Sequence, residues 1–357
     1  MMANQANRVF DTKTSIITAG LRFSRWLALT APAPRPAVKF MSLTFWKAFW
    51  LTMRPYLIFI SGAAGLVGLS FIEHPHPYRI MLAFWPLLFS YGFGQALTDC
   101  FQIDTDTLSS PYRPLVRGVI TRKQVLRTSL AGLISGIVLL TCLNPLILVP
   151  GIGAVLGLLG YTFFKKRWWG GPFWNSWIVA LLPIIGRMTD GHLRLTEVAA
   201  SFNADSGAFL FAVLAILFSY GNFVVMGYLK DISPDRQTGY KTFPVVFGWR
   251  ATAVYSDALA LAAAAFTGLA LYGVHANFIG VAIYVVAVTV NTSAQVRIHG
   301  LRDEHKAFGP IANVVRALIL YSLAVVVAKQ IDWLAFGAVF YLLFETALRY
   351  RPEKSQV

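Results

Sequence analysis

Sixteen acidic residues serve a chain of 357 residues, and five of them fall in two short clusters. The stretch "LTDCFQIDTDTLSSPYRPLVRG" runs from Leu97 to Gly118 and holds Asp99, Asp104 and Asp106. The stretch "LKDISPDRQTGYKTFPVVFG" runs from Leu229 to Gly248 and holds Asp231 and Asp235. Each cluster follows an apolar run and leads through basic residues and a glycine into another. A spacing of four places Asp231 and Asp235 on one helical face. A spacing of seven does the same for Asp99 and Asp106, with Gln102 between them. Asp104 can join them only if the helix ends before it. Carboxylates stacked in this way repel one another unless cations neutralise them. Magnesium takes oxygen ligands, commonly one or two carboxylates together with substrate phosphates. Neighbouring bases such as Arg113 and Arg236 suit the remaining phosphate oxygens. The pattern therefore predicts Mg²⁺ and a pyrophosphate at the acids, with an apolar appendage among the adjoining segments. One acidic loop at a helix end is ordinary solvated structure. Two on one membrane face, each trailed by bases, favour a site.

The elements that must position these residues are helices in a membrane. Mean hydropathy is +0.59. Only 13% of residues are charged, against about a quarter in soluble domains. Apolar runs lie near residues 49–72, 80–101, 124–142, 146–163, 171–188, 207–230, 250–273, 276–296, 310–328 and 331–348. Runs of roughly 18 residues or more can span a bilayer, and helices satisfy their own backbone there. The expected fold is all-α, a polytopic transmembrane helical bundle of nine core helices with a tenth appended. That tenth run has Glu345 near its end and could lie at the interface. If the N-terminus is cytoplasmic, 18 Lys and Arg residues share the side of the two acidic clusters. Arg79, Arg187, Arg194 and Lys329 are the four on the other side. Positive-inside bias then turns both clusters towards the cytoplasm, or towards stroma or matrix in an organelle. Topology thus accounts for much of the net charge of +15, and no nucleic-acid partner is expected.

Cys100 and Cys142 make neither a disulfide framework nor a zinc pattern, and His74 and His76 read as a solvated loop. Residues 1–44 read as an N-terminal tail or targeting segment, with "TAPAPRPA" at 30–37 an extended linker. Residues 45–330 form the transmembrane domain, and residues 331–357 an additional helix and tail.

The two acidic stretches resemble the motifs of the UbiA superfamily of intramembrane prenyltransferases. "TDCFQIDTDTLSSPYRP" is similar to the family's first motif, approximately N-D-x-x-D-x-x-x-D with a following arginine. Asp99, Asp106 and Arg113 fall in register, whereas Thr98 replaces the usual Asn and Gln102 the central Asp. "KDISPDRQTGYKTFPVVFG" resembles the second motif more closely, with Lys230, Asp231, Asp235, Arg236, Gly239, Lys241 and Thr242 in register. "LTMRPYLIF" resembles the family's Arg-Pro opening. "YTFFKKRWWGGPFWNSW" resembles its fourth connection, with Tyr161, Lys165 and Asn175 as candidates.

The resemblance implies transfer of a prenyl group from a prenyl diphosphate to an electron-rich, aromatic acceptor. It implies Mg²⁺ at Asp99, Asp106, Asp231 and Asp235, with Asp104 as a further ligand. Gln102, Arg113, Tyr161, Lys165, Asn175, Lys230, Arg236 and Lys241 would bind substrate. Phe93, Phe101, Phe223, Tyr228 and Tyr161 are candidates for an aromatic cavity that keeps water from a cation-like carbon. A terpene cyclase on the same scaffold and a non-catalytic isoprenoid-binding protein are the alternatives. Trp168, Trp169, Trp174 and Trp177 read as interfacial anchors. Arg316 and Asp257 lie inside apolar runs, where a pair between them or snorkelling would account for both.

Overall fold

A computed structural model describes residues 37–73, 76–190 and 204–351. Residues 1–36 of the N-terminal segment, with most of its linker, and His74, Arg194 and Lys354 lie outside the described residues. Thirteen α-helices follow in chain order among the described residues: α1 Leu43–Thr52, α2 Ile58–Ser70, α3 Pro77–Asp99, α4 Ile103–Ser109, α5 Arg122–Leu143, α6 Leu148–Lys165 and α7 Gly171–Met188. Then come α8 Ala204–Gly227, α9 Ile232–Gln237, α10 Phe243–Gly273, α11 Phe278–Gly300, α12 Phe308–Lys329 and α13 Leu334–Arg349. Eight helical stretches among the described residues are long and apolar enough to cross a membrane. The expected polytopic helical bundle is therefore present.

Every apolar run is helical, but two are not continuous. The run at 49–72 divides into α1 and α2. Pro55 clashes with a helical residue before it, and Arg54 instead takes a left-handed backbone with φ 53°. The seventh run starts earlier than its apolar pattern, at Phe243, and is kinked at Gly248, where φ is 78°.

α2 and α12 form the buried axis. Twelve of the thirteen residues of α2 are buried. It crosses α7 almost backbone to backbone: a Cβ on Gly68 would stand 2.0 Å from the Pro183 carbonyl oxygen. Lipid gives apolar helices no hydrophobic reason to associate, so small residues and polar links hold such contacts. One link joins four helices. The Asn222 side-chain amide donates to Asn291 at 3.2 Å, and the Ser256 hydroxyl lies 2.6 Å from Asn222 and 2.9 Å from Gln295. Asn291 in turn reaches the Tyr321 hydroxyl at 3.5 Å.

The tenth run packs on the bundle. Phe340 and Phe344 of α13 meet the Phe59 ring at 5.1 and 5.9 Å between centroids. Glu345 receives Arg316 in a two-pronged pair, at 2.7 and 3.0 Å. The expected Arg316–Asp257 pair is thereby corrected. Arg316 stands on the side of α12 that meets α13, and Asp257 on α10 meets His299 of α11 at 2.6 Å. Trp168 and Trp169 are exposed, as interfacial anchors would be, but Trp174 stacks on Phe164 at 3.6 Å and donates to the Gly157 carbonyl.

A methyl group on Gly68 has no room, so Gly68→Ala must separate α2 from α7. Gly207→Ala meets nothing within 4 Å and serves as the control. Thermal unfolding in detergent should show a midpoint several degrees lower for Gly68→Ala and an unchanged midpoint for the control.

Candidate active site

α3, α5, α6, α7 and α8 wall a cavity of about 450 Å³, within the size range of ligand pockets. One end is charged. Arg54, Asp99, Gln102, Asp106, Arg113, Lys165, Lys230 and Asp231 line it, so both acidic stretches converge there. The other end is apolar and is lined by Trp85, Pro86, Gly136, Leu140, Gly151 and Ile185 among others.

The first acidic stretch is not one helix, which corrects the placement expected from its spacing. α3 ends at Asp99, the chain turns through Cys100 and Phe101, and α4 begins after Gln102, whose φ is −125°. Asp99, Gln102 and Asp106 still meet at the cavity, at 2, 6 and 6% exposure. The turn, not helical period, brings them together. Asp104 points elsewhere. It is exposed, accepts the Tyr240 hydroxyl at 3.0 Å and does not line the cavity.

Burial in an apolar body forces these charges to pair. Arg54 donates to both Asp99 oxygens, at 2.9 and 3.3 Å, and Gln95 adds a bond of 2.8 Å. Arg113 approaches Asp106 at 2.5 Å and Asp99 at 3.6 Å. The four groups form a chain in the order Arg54, Asp99, Arg113, Asp106. Burial raises the Asp106 pKa, and the Arg113 guanidinium opposes that rise. Gln102 contributes a neutral acceptor: its carbonyl takes the Lys165 ammonium at 2.7 Å.

The second stretch is held differently. Asp231 caps the short α9, whose Asp235 amide bonds back to the Asp231 carbonyl at 2.9 Å. The two acids therefore sit one turn apart, as their spacing predicts. Gly239, with φ 78°, turns the chain so that Thr242 returns to Asp235. The Thr242 hydroxyl donates to Asp235 Oδ2 at 3.1 Å. Asp235 is fully buried and does not line the cavity, and its Oδ1 has no partner among the described residues. Burial pushes its pKa up to about 6, against the opposing pull of Lys165. Asp231 lines the cavity and its carboxylate enters no hydrogen bond or ion pair among the described residues.

Between the charges and the apolar end stands a neck of tyrosines. The Tyr161 and Tyr228 hydroxyls are 3.3 Å apart. Tyr220 bonds Tyr91 at 3.4 Å and receives Asn175 at 3.2 Å. All five residues line the cavity, with Phe93 and Phe223. Phe101 does not line it; its ring lies under Arg122 at 5.2 Å. Arg236 and Lys241 also stay outside. Both are exposed, and the Lys241 amide is bonded to the Lys166 carbonyl at 3.1 Å.

Three lining residues escaped the motif spacings. Arg54 was signalled by the Arg-Pro pair and by nothing else. Tyr91 and Gln95 lie eight and four residues before Asp99 on α3, and that helical spacing was the available signal.

The arrangement could hold a metal ion. Asp235 Oδ1 is a buried, unmatched acceptor one turn from the unpaired Asp231. Among the described residues no three His, Cys, Asp or Glu converge to bind a metal by themselves. Phosphate and water oxygens would complete such a shell, as magnesium commonly requires.

A polytopic helical membrane protein with a charged pocket at the mouth of an apolar tunnel is the class that fold and site define. The sequence pattern of the UbiA prenyltransferase family matches residues 57–315, so the chain belongs to that family and is a prenyltransferase. It is 28% identical over 217 residues to the digeranylgeranylglyceryl phosphate synthase of Pyrococcus abyssi, covering 59% of this chain and 73% of that relative. The enzyme of the same name from Halobacterium salinarum is 29% identical over 172 residues, covering 48% and 58%. Among solved structures, a UbiA homolog from Aeropyrum pernix K1 matches with a TM-score of 0.64 at 18% identity, covering 78% of this chain and 98% of that one. A UbiA homolog from Archaeoglobus fulgidus bound to DMAPP and Mg²⁺ matches with a TM-score of 0.57 at 16% identity, with the same coverage.

Arg54→Ala should strand Asp99 as a buried charge with weaker partners. Removing one member of a buried pair costs about 3–5 kcal/mol, and the Gln95 bond keeps the loss near the lower end. Urea or thermal unfolding in detergent should find Arg54→Ala clearly less stable than Arg54→Lys.

Proposed function

We propose that this enzyme moves a long prenyl group from its diphosphate to a nucleophilic acceptor in a magnesium-dependent reaction. The carrying observation is the joining of one charged pocket to one apolar tunnel through a neck of phenol rings. The diphosphate would sit among Arg54, Arg113, Lys165 and Lys230, whose N–H groups suit phosphate oxygens. Asp231 and Asp235 would hold Mg²⁺. Bound there, the ion would neutralise charge on the departing diphosphate.

The residues have distinct tasks. The four cations favour the charge that develops as the allylic C–O bond breaks and diphosphate leaves with the electron pair. Tyr91, Tyr161, Tyr220 and Tyr228 present ring faces and hydroxyls to the cation-like carbon, which ring electrons attract. The apolar wall excludes water that would otherwise capture that carbon. The acceptor's nucleophilic atom then forms the new bond and loses its proton.

Tunnel length supports a donor of about four isoprene units. The lining runs from Asp99 to Trp85 along α3 and from Lys165 to Gly151 along α6. At 1.5 Å per residue either stretch is about 21 Å. An extended isoprenoid advances about 5 Å per unit, from four C–C bonds of about 1.5 Å. The geranylgeranyl in the relatives' name agrees with that length.

Motif resemblance alone favours an aromatic acceptor. The relatives' name carries a glyceryl phosphate instead, which supports a second candidate, the hydroxyl of a glyceryl-phosphate lipid. Charge bias supports a pocket that faces the cytoplasm or its organelle equivalent.

Purified enzyme offered C10, C15 and C20 diphosphates with both acceptor classes should make a conjugate, best with C20. A chelator should abolish turnover, and Asp231→Asn should lower it by orders of magnitude. A Cβ at Gly136 would meet only Pro86, at 3.5 Å, so Gly136→Phe should fill the tunnel. The C20-to-C10 ratio of kcat/KM should then fall at least tenfold. A cyclised hydrocarbon formed without any acceptor would overturn the transfer reading.

A further inference from the structure

The two halves of the charged pocket differ in what their carboxylates already hold. On the α3–α4 side both aspartates are committed. Asp99 is engaged by Arg54 at 2.9 Å and Gln95 at 2.8 Å, and Asp106 by Arg113 at 2.5 Å. The pocket position between them is Gln102, which carries no charge and accepts Lys165. Two carboxylates thus face two guanidiniums with the Lys165 ammonium beside them, so that half needs no ion to balance its acids. On the α8–α9 side the Asp231 carboxylate makes no ion pair or hydrogen bond among the described residues, and Asp235 Oδ1 is buried without a partner.

We infer that the pocket takes a single divalent cation, at Asp231 and Asp235, and that the Arg54–Asp99–Arg113–Asp106 chain does the work of a second ion on the diphosphate. This rests on the transfer reading of the same pocket.

Three physical arguments support it. A divalent ion at Asp99 and Asp106 would have to displace two guanidiniums from carboxylates that are 2 and 6% exposed. The freed arginines would then have the diphosphate alone as counter-charge, and breaking two buried pairs is costly in an apolar setting. The arginines also have capacity to spare. Each guanidinium carries five N–H donors, and each commits only one terminal nitrogen to a carboxylate. Their Nε donors are both without partners among the described residues. A fork held on one side by aspartate and open on the other fits a phosphate's paired oxygens. Finally, Arg54 is a non-glycine residue in the left-handed region, with φ 53°. Such backbone is costly for a residue with a side chain and persists where the surroundings require it. Here it carries the guanidinium from the α1–α2 break onto Asp99.

The chain's own sequence supplies the reversing change. Gln102→Asp would put a third carboxylate between Asp99 and Asp106 and remove the neutral acceptor of Lys165. The added carboxylate would face the Lys165 ammonium and be an acid that neither arginine holds, open to a cation as a ligand.

Counting ions tests this without turnover. The full chain in detergent is equilibrated with Mn²⁺ and an unreactive geranylgeranyl thiolodiphosphate, and bound Mn²⁺ is counted by electron paramagnetic resonance and by calorimetry. The expected count is one per chain. Asp231→Asn and Asp235→Asn should each lower Mn²⁺ affinity at least tenfold, while Asp106→Asn should leave the count at one. Arg54→Gln should weaken binding of the thiolodiphosphate at least tenfold, with Arg54→Lys restoring part of it, and Gln102→Asp should raise the count towards two. A count of two in the unaltered protein, with one ion lost in Asp99→Asn or Asp106→Asn, would overturn the inference. So would a count of zero, or retention of the ion in a folded Asp231→Asn/Asp235→Asn protein. If one ion binds with the analogue yet no acceptor is prenylated, the ion count stands and the transfer reading falls.

Discussion

The cost of holding charge inside an apolar body governs this molecule. In water an aspartate beside an arginine is worth little. Inside a helical bundle each must find the other, or the group is neutralised or expelled. The chain from Arg54 through Asp99 and Arg113 to Asp106 is the solution on one side of the pocket. It also determines much of the local architecture. α1 and α2 must break so that Arg54 can reach Asp99. α3 must end at Asp99 so that Asp106 can return on α4 and meet Arg113. The departures from continuous helix near the pocket therefore follow from where the charges must go.

The same rule shapes the rest of the bundle at lower intensity. Asn222, Ser256, Gln295 and Asn291 bind helices that lipid would leave indifferent to one another. Arg316 and Glu345 do the same for α13. Of the helices joined in this way α8 also walls the tunnel, so these contacts brace the tunnel on that side. A cavity of this kind is stable only if its walls are held from outside, because its apolar lining would otherwise collapse to recover lost contacts.

How far these features can be read from the chain depends on whether they are local. The helical runs are local and apolar, and all ten are legible. The second acidic cluster is also local: Asp231, Asp235, Gly239 and Thr242 act within one turn and its return, and their spacing places them well. The first cluster is less so. Helical period puts Asp99, Gln102 and Asp106 on one face for the wrong reason, since a turn brings them together. Asp104 falls away to Tyr240, a partner 136 residues distant in sequence. Arg54 meets Asp99 across 45 residues, and no spacing rule reaches that far. Arg316 could be matched with Asp257 or with Glu345 on charge alone, and only the packing of α13 against α12 decides.

Gln102 joins the local and the distant. In sequence it is a missing charge in an otherwise acidic motif. In the folded chain the missing charge is matched: Lys165 is satisfied by an amide carbonyl, and two arginines suffice for two aspartates. A third carboxylate at that position would meet the Lys165 ammonium and add an acid that neither arginine holds. Losing one acid therefore need not damage the pocket. It leaves Asp231 and Asp235 as the carboxylates with no direct ion pair among the described residues, with Lys165 and Lys230 acting on them at longer range.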